Sequence, residues 1–331
     1  GGEMRPFLTV SFWVISFIAN LSGGTLPPPF LQDLSSVEEA RQSSVLVAIT
    51  FHYDSKRFCY LEQVLSFLAT FPKVDIVIIT NTKEEKKIRQ IEESFQKVNG
   101  TTPIKGSKSI RSFPTLEHPH NLTWCHKDLI SNEFFDQKNG YTHFIYLEDD
   151  MGLDFNNFSY FVHFRKEFKN LGVIPSFLRV EVNQNNAFVS TDYTSRVNID
   201  NRFQVHYENY VFVNPKNPYT ACFILDHELA QEYVASPSFD RTKSSVLCNW
   251  GTRERAAMGL CFVNVPPDFT SRYVIPLVKK SHLIPSYIWI YHLPNNYAND
   301  PTTNLGKIKI ENLFFSRQKN PSYRKGFILK P

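Results

Sequence analysis

The stretch that decides the fold reads Tyr-Thr-His-Phe-Ile-Tyr-Leu-Glu-Asp-Asp, at residues 141–150. Its apolar run ends in three consecutive carboxylates, Glu148, Asp149 and Asp150. Adjacent anions repel one another and have low strand propensity, so folding alone does not select them. A divalent cation does select them, because hard cations prefer oxygen ligands and can also neutralise a diphosphate. The alternative interpretation is a solvated acidic turn after a core strand.

Two further apolar runs of strand length precede this stretch, at residues 45–50 and 74–80. Helical patterns occur between and after them, at residues 60–68, 83–97 and 126–135. Strands that are apolar along their whole length are expected where both faces of a sheet are covered. The alternation of strand and helix therefore predicts right-handed crossovers and a parallel sheet.

Polar side chains follow the predicted strands at one edge of this sheet. Thr50 ends the first strand, Asn81 follows the second, and residues 148–150 follow the third. Ligands of parallel sheets gather at the carboxyl ends of the strands. The sequence thus predicts a binding site at this edge.

The second half of the chain has a different pattern. Residues 203–213 and 219–225 flank a turn-forming Asn-Pro-Lys-Asn-Pro segment, which predicts an antiparallel hairpin. Helices are predicted over residues 226–234 and 253–260, the second capped by Thr252. We divide the chain accordingly into a signal-like or stem segment and two halves of one composite domain.

The predicted boundaries are residues 1–40 for the stem, 41–160 for the first, α/β half, and 161–331 for the second half. Residues 100–114 are polar and rich in turn formers, and we expect a loop there. The tail from Pro294 onward is rich in Asn, Pro and Lys and is expected to be largely loop as well.

The N-terminus has an apolar stretch, residues 7–19, that follows a positive charge. This pattern is typical of a secretory signal and is short for a transmembrane helix. The alternative is a buried first strand or helix. We expect a secretory, Golgi-like location with membrane association through this segment, and keep a cytoplasmic location as the alternative. Glycosylation sequons that are compatible with secretion begin at Asn20, Asn99, Asn121 and Asn157.

The composition excludes several classes of function. A formal charge of +4 over 331 residues, without a dense Lys/Arg stripe, does not predict nucleic-acid binding. The five cysteines have no CxxC spacing, so we expect no thiolate zinc site and at most two disulfides. The phosphate-loop, dinucleotide, serine-hydrolase and H-E-x-x-H motifs are all missing from the sequence. The 29 Phe and 15 Tyr predict thick aromatic packing.

The strand runs at residues 45–50 and 74–81, together with the acidic triplet, resemble the GT-A class of nucleotide-sugar-dependent glycosyltransferases. The triplet stands where that class has its acidic D-x-D-type signature. The resemblance implies that residues 41–160 form a nucleotide-sugar-binding half and residues 161–331 an acceptor-binding half. The resemblance implies an α/β fold with a GT-A-like Rossmann-type mixed sheet flanked by helices and a smaller antiparallel acceptor-side subregion. It also implies a UDP-sugar donor, Mn²⁺ or Mg²⁺, a glycan or glycoconjugate acceptor, and transfer of a hexose or pentose.

By the same resemblance, Asp150 would be the direct metal ligand, with Asp149 beside it. Glu148 or Asp149 would hold ribose, sugar hydroxyls or a metal-bound water. His292 is a second candidate ligand, because borderline metals such as Mn²⁺ accept imidazole. The alternative for His292 is a packed, hydrogen-bonded histidine within an aromatic stretch.

Donor contacts are expected from the first two strand ends and from the helix before the acidic strand. Thr50 and Tyr53 would surround the nucleobase, with the Tyr53 ring stacking on it, and Asn81 could contact its edge. Lys127 or His126 could meet the donor. Each of these residues could instead serve folding alone.

The segment around Trp250 resembles the Trp-Gly-rich acceptor motif of several inverting transferases. Glu254 is the candidate general base, since inversion needs a carboxylate to take the proton of the acceptor hydroxyl. Asp268 is a weaker rival, and a purely structural Glu254 is the alternative. Arg179 and Glu181 lie on the same side of a predicted strand, where they could contact the acceptor or pair with each other.

Two other functions remain open at the sequence level. A sugar nucleotidyltransferase shares the α/β plan and the carboxylate cluster, although residues 50–54 lack the expected glycine. A non-catalytic, lectin-like module could use the acidic triplet for Ca²⁺ and the aromatic residues to stack on sugars.

Overall fold

The computed structural model describes residues 34–96, 103–317 and 327–328. Within them the protein is a mixed α/β protein with three five-stranded sheets, one two-stranded pair and several helices. The predictions for the apolar N-terminal segment and for the sequons at Asn20 and Asn99 lie outside the described residues. None of the helices in the described ranges has both the length and the apolar character needed to cross a bilayer.

The strands in chain order are β1 Val45–Phe51, β2 Asp75–Thr80, β3 Lys108–Ser112, β4 His143–Glu148, β5 Met151–Gly152, β6 Ile174–Pro175, β7 Leu178–Val182, β8 Phe188–Ser190, β9 Val197–Asn198, β10 Gln204–Tyr207, β11 Tyr210–Val213, β12 Cys222–Asp226, β13 Tyr273–Val278, β14 Trp289–His292, β15 Ile308–Lys309, β16 Phe314–Phe315 and β17 Phe327–Ile328. The α-helices are α1 Leu34–Gln42, α2 Phe58–Leu68, α3 Glu85–Gln96, α4 His126–Leu129, α5 Phe155–Phe168, α6 His227–Ala235, α7 Thr252–Ala256 and α8 Asn296–Asn299. Short 3₁₀ turns and one π-turn, Ile130–Phe134, complete the helical segments.

The first sheet has the strand order β12-β4-β1-β2-β3. Strands β1 to β4 run parallel, and β12 is antiparallel to β4. The parallel arrangement of β1, β2 and β4 confirms the prediction. All seven residues of β1 are buried, as expected for a strand covered on both faces.

Strand β3 corrects the prediction of a loop over residues 100–114. It pairs with β2 at the edge of the sheet, and four of its five residues are exposed. An edge strand can be polar because one side of its backbone and much of its surface face water. A polar sequence therefore did not indicate a strand.

The predicted hairpin of residues 203–213 with residues 219–225 is wrong. The hairpin forms within the first of these runs, where β10 and β11 are antiparallel and turn at Glu208, which has φ +43°. Strand β12 instead joins the first sheet beside β4. Because β12 is apolar and almost wholly buried, it fits a covered sheet better than a half-exposed hairpin.

The helix predictions are confirmed for α2, α3 and α6, and in part for α7. Helix α6 begins after Asp226, whose side chain accepts a hydrogen bond from the Leu229 amide. Helix α7 is shorter than predicted and ends at Ala256, and Gly251 rather than Thr252 occupies its N-cap.

Helix α5 was not predicted, because it lacks a polar face. Ten of its residues are buried. Among them, Asn157 donates from Nδ2 to the carbonyl oxygens of Tyr287 and Trp289, at 2.8 and 3.2 Å. The sequon at Asn157 is therefore inaccessible to glycosylation in the folded protein.

Helix α1 corrects the boundary of the predicted stem at residue 40. It packs on α5, where Ser36 Oγ and His163 Nδ1 are 2.9 Å apart, and it buries Ala40. The folded body thus includes residues 34–40, which the prediction had assigned to the stem.

Candidate active site

The three carboxylates Glu148, Asp149 and Asp150, here called the acidic centre, lie at the carboxyl end of β4 and in the turn before β5. Their relative exposures are only 4%, 5% and 4%. The alternative interpretation of a solvated acidic turn is therefore wrong. Burying three anions is costly unless other groups compensate their charge, and two arginines do so.

Arg57, which the sequence analysis did not identify, binds two of these carboxylates. Its Nε and Nη2 donate to the two carboxylate oxygens of Asp149, both at 2.7 Å. Nη2 also donates to Asp150 Oδ2 at 2.8 Å. These charge-assisted bonds, first to Asp149, raise the pKa of Arg57 although burial opposes the rise.

Arg253 compensates the third carboxylate. Its Nη2 donates to Glu148 Oε2 at 2.7 Å, and the hydroxyl of Tyr219 lies 3.4 Å from Glu148 Oε1. The attraction of Glu148 raises the pKa of Arg253. Helix α7, which carries Arg253, is thereby fastened to the acidic centre.

His292 is brought to Asp150 by the pairing of β14 with β5, in which His292 lies opposite Met151. Its Nε2 is 3.7 Å from Asp150 Oδ2. On the other side of the ring, Nδ1 is 2.5 Å from Glu181 Oε1. The second oxygen of Glu181 accepts from the Ala298 amide at 2.5 Å.

The electrostatics of the acidic centre differ between its aspartates. Burial raises the pKa of Asp149, although pairing with Arg57 opposes the rise. For Asp150 burial acts in the same direction, but contacts with His292 and Arg57 outweigh it and lower the pKa. Burial lowers the pKa of His292, but its bonds to Asp150 and Glu181 overcome this and raise it. Asp150 therefore keeps its negative charge to a lower pH than Asp149 does.

Arg179 and Glu181 do not pair with each other as one alternative suggested. Arg179 forms a two-bond pair with Asp192, at 2.9 and 2.5 Å. Glu181 is fully buried, and both of its oxygens are occupied by His292 and Ala298, so the predicted acceptor contact of Glu181 is wrong. Its side chain orients the imidazole instead.

Arg179, Tyr219 and Trp250 form a stack beside the acidic centre. The rings of Tyr219 and Trp250 are 5.3 Å apart and nearly parallel, at 22°. The Arg179 guanidinium lies 4.8 Å from the Tyr219 ring centre. Trp250 is half-buried, so its ring packs on Tyr219 and is also partly accessible from the surface.

The predicted donor residues of the first two strands lie together. Thr50 is buried at the end of β1 and is paired in register with Glu148. The Tyr53 amide donates to Asn81 Oδ1 at 2.8 Å, and the Asn81 amide group is 3.0 Å from His52 Nε2. Lys87 covers one face of the Tyr53 ring, with Nζ 5.2 Å from its centre. Base stacking on Tyr53 stays a prediction.

Glu254 and Lys127 lie around the acidic centre rather than in it. Glu254 is half-buried in α7, and its carboxyl group folds back over Gly251. Lys127 lies over Trp124, with Nζ 4.0 Å from the ring centre, and Trp124 donates to the Thr252 carbonyl at 2.9 Å. Glu254 can act as the base, and Lys127 can contact the donor, only if a bound ligand extends from the acidic centre to these side chains.

The chemistry of the acidic centre suits a metal that also has ligands from substrate. In the described ranges, His, Cys, Asp and Glu side chains do not form a group of three or more that could enclose a metal ion. However, Asp150 Oδ1 is buried without a hydrogen-bond partner, and an orphaned buried carboxylate oxygen is costly. The imidazole of His292 has its Nδ1 bonded to a carboxylate, the arrangement that most metal-bound histidines show. Asp150 and His292 fit a cation whose remaining ligands are phosphate oxygens or water.

No protein-family model matches the chain, and no curated protein matches it.

Proposed function

We propose that this protein is a metal-dependent glycosyltransferase that moves a sugar from a nucleotide diphosphate donor, UDP-sugar in the first instance, to a hydroxyl of a glycan or glycoconjugate. Asp150 and His292 would hold Mn²⁺ or Mg²⁺, and the diphosphate would complete the coordination. The first sheet is mixed, and the buried carboxylates lie where its parallel strands end. Both features support a GT-A-like assignment.

The observation that carries this proposal is the chain of contacts from Asp150 through His292 to Glu181. Asp150 has an unpartnered buried oxygen, His292 lies 3.7 Å from its other oxygen, and Glu181 fixes the imidazole. A carboxylate that holds the second ring nitrogen is the usual partner of a metal-bound histidine. The arrangement is consistent with a metal ligand pair and its supporting hydrogen bond.

The proposed reaction is a displacement at the anomeric carbon with inversion. A bound dication would supply positive charge against the leaving diphosphate. Arg57 lies within the same cluster and can exchange a carboxylate for a phosphate oxygen. The acceptor oxygen forms the new bond to the anomeric carbon, the bond to the diphosphate oxygen breaks, and Glu254 takes the hydroxyl proton.

The metal assignment is tested by thermal unfolding of the wild type and of Asp150→Asn with UDP, Mn²⁺ or both. At one hundred times Kd, a ligand stabilises the folded state by about 2.7 kcal/mol, so UDP with Mn²⁺ should raise the wild-type midpoint by several degrees. Asp150→Asn should unfold at the same temperature with and without UDP and Mn²⁺. Glu311→Ala, which removes an exposed carboxylate elsewhere, should show the same rise as the wild type. A rise with Ca²⁺ and free glycan but without nucleotide would instead favour a lectin.

The base assignment is tested by Glu254→Gln, with Asp268→Asn as the rival. Loss of a general base costs about 10²–10⁴ in rate, so Glu254→Gln should lose transfer and keep the UDP–Mn²⁺ shift. Asp268 is exposed, and its substitution should leave both unchanged. If Glu254→Gln lost donor binding and transfer equally, a structural role would be preferred.

A further inference from the structure

A cavity lies beside α7, outside the acidic centre. Its volume is about 600 Å³, and it opens to the surface. This volume is within the range of small-molecule sites in proteins. The side chains on which the argument depends are Glu117, His118, His120, Arg241, Thr252 and Arg255.

The cavity carries a positive charge that is not neutralised within the described residues. Arg255 donates to neutral oxygens, namely Ser244 Oγ at 3.1 Å and the carbonyls of Trp250 and Arg241 at 2.8 and 3.3 Å. No carboxylate of the described residues forms an ion pair with Arg255. Its guanidinium is thus held in place while its charge stays available to a ligand.

The second guanidinium of the cavity has a weak partner. Arg241 contacts Glu117 at 3.3 Å, and their side chains are 41% and 85% exposed. An ion pair this exposed contributes little to stability, because water screens the attraction between the two charges. A ligand anion can therefore replace Glu117 at low cost.

Helix α7 joins this cavity to the acidic centre. Thr252 and Arg255 line the cavity, while Arg253 between them binds Glu148. Trp124 fastens the start of α7 to the turn Pro119–Trp124, which contributes His120. A molecule in the cavity would lie within one helical turn of Glu254.

We propose that this cavity binds an anionic group, a carboxylate or a phosphate, on the glycan acceptor. Arginine recognises both groups through paired hydrogen bonds, and histidines add further donors. The identification of the ligand as a glycan acceptor rests on the proposed glycosyl transfer. The anion site itself depends only on the cavity and its charges.

The test is ligand-observed NMR titration with glucuronate, glucose 6-phosphate and glucose as probes. We expect one or both anionic sugars to bind and glucose not to bind, and the comparison of the two anions shows which group is preferred. Arg241→Gln should weaken binding about tenfold, the loss expected for one charge-assisted contact. Arg196→Gln, which removes an exposed arginine from another part of the surface, should have no effect. Glu117→Gln should tighten binding, because it removes the competing carboxylate.

Equal signals from all three sugars, or equal losses in Arg241→Gln and Arg196→Gln, would overturn the inference. If neither anion binds while UDP with Mn²⁺ still stabilises the protein, the anion site fails and the glycosyltransferase proposal stands. If the anions bind but UDP with Mn²⁺ does not, the site stands and its ligand is no longer an acceptor.

Discussion

Arg57 compensates the charge of the acidic centre, and it could not have been found from sequence patterns. It lies 92 positions before Asp149, in a polar segment that is typical of a surface turn. The three carboxylates themselves were identified because they interrupt an apolar strand. An ion pair between distant segments leaves no local periodicity, so only the folded geometry reveals the partner.

At the residue scale, Glu181 should determine the metal affinity of the site without contacting the metal. In Glu181→Gln the amide can accept only one of the two hydrogen bonds, from His292 and from the Ala298 amide. The unsatisfied buried group should cost about 1–3 kcal/mol, and the loosened imidazole should weaken Mn²⁺ binding about 10–100-fold. Titration of Mn²⁺ in the presence of UDP measures the second effect.

The control for Glu181→Gln is Asp192→Asn, which breaks the neighbouring pair with Arg179. It should lower the stability while the affinity for Mn²⁺ stays the same. A similar loss of affinity in both variants would mean that Glu181 acts only through the stability of the sheet.

Lys127 gives a pH dependence of stability. Burial, with help from the charge of Arg241 and against that of Asp240, lowers the pKa of Lys127 to about 7. The unfolded chain keeps this proton up to about pH 10.4. The cost of burying the ammonium is therefore full below pH 7 and decreases as the pH rises from 7 towards 10.

Lys127→Met removes this cost, so the variant should be more stable than the wild type at pH 6, and the difference should shrink by pH 10. Urea unfolding at both pH values measures it. Lys138→Met, at an exposed lysine, should show no such trend. A variant less stable than the wild type at pH 6 would mean that the ammonium–Trp124 contact outweighs burial.

At the scale of elements, the apolar strands β1, β2 and β4 could be predicted because each is buried along almost its whole length. The pairing of β12 could not be predicted, since an apolar run of strand length does not specify which partner covers it. The polar edge strand β3 resembled a loop for the opposite reason, because water rather than packing surrounds it. The carboxylates of the candidate site were predictable as far as they depended on β4, and the contacts of Glu181 and Arg57 were not.

Helix α7 positions Glu254 through a glycine that precedes it. An added Cβ at Gly251 would collide with Oε2 of the Glu254 carboxyl group. The backbone there, φ −61°, is open to alanine, so Gly251→Ala should cost about 1 kcal/mol or less in stability. It should nevertheless reduce kcat, because the carboxylate must move. An unchanged kcat in steady-state assays would separate Glu254 from the chemistry.

At the scale of the whole molecule, α5 connects the three sheets. Phe158 packs against His143 of the first sheet at 5.0 Å, and Phe164 and Phe168 pack against Phe212 of β11. Asn157 binds the carbonyl of Trp289 at the start of β14. Aromatic side chains of this helix thus contribute to packing between the sheets, and Asn157 holds the strand of His292 in place.

The folded state should not depend on a bound metal, because Arg57 and Arg253 already compensate the acidic centre. Treatment with EDTA should leave the wild-type unfolding midpoint unchanged.

Arg57→Ala should lower the free energy of unfolding by about 2–3 kcal/mol. This is less than for a fully buried pair, because the Arg57 side chain is 32% exposed. Mn²⁺ should restore part of this loss, and no recovery would argue against a cation at Asp150.

A fluorescent label on a cysteine can report on the surroundings of Arg57. All five cysteines of the chain lie in the described residues and are free, but only Cys59 is exposed. Burial raises the pKa of Cys125 to about 11, which keeps it protonated and unreactive. Cys59 stands on α2, two positions after Arg57. A maleimide dye added to the native protein should attach there faster than at the half-buried Cys248, and its fluorescence would report changes near the Arg57 guanidinium when nucleotide binds.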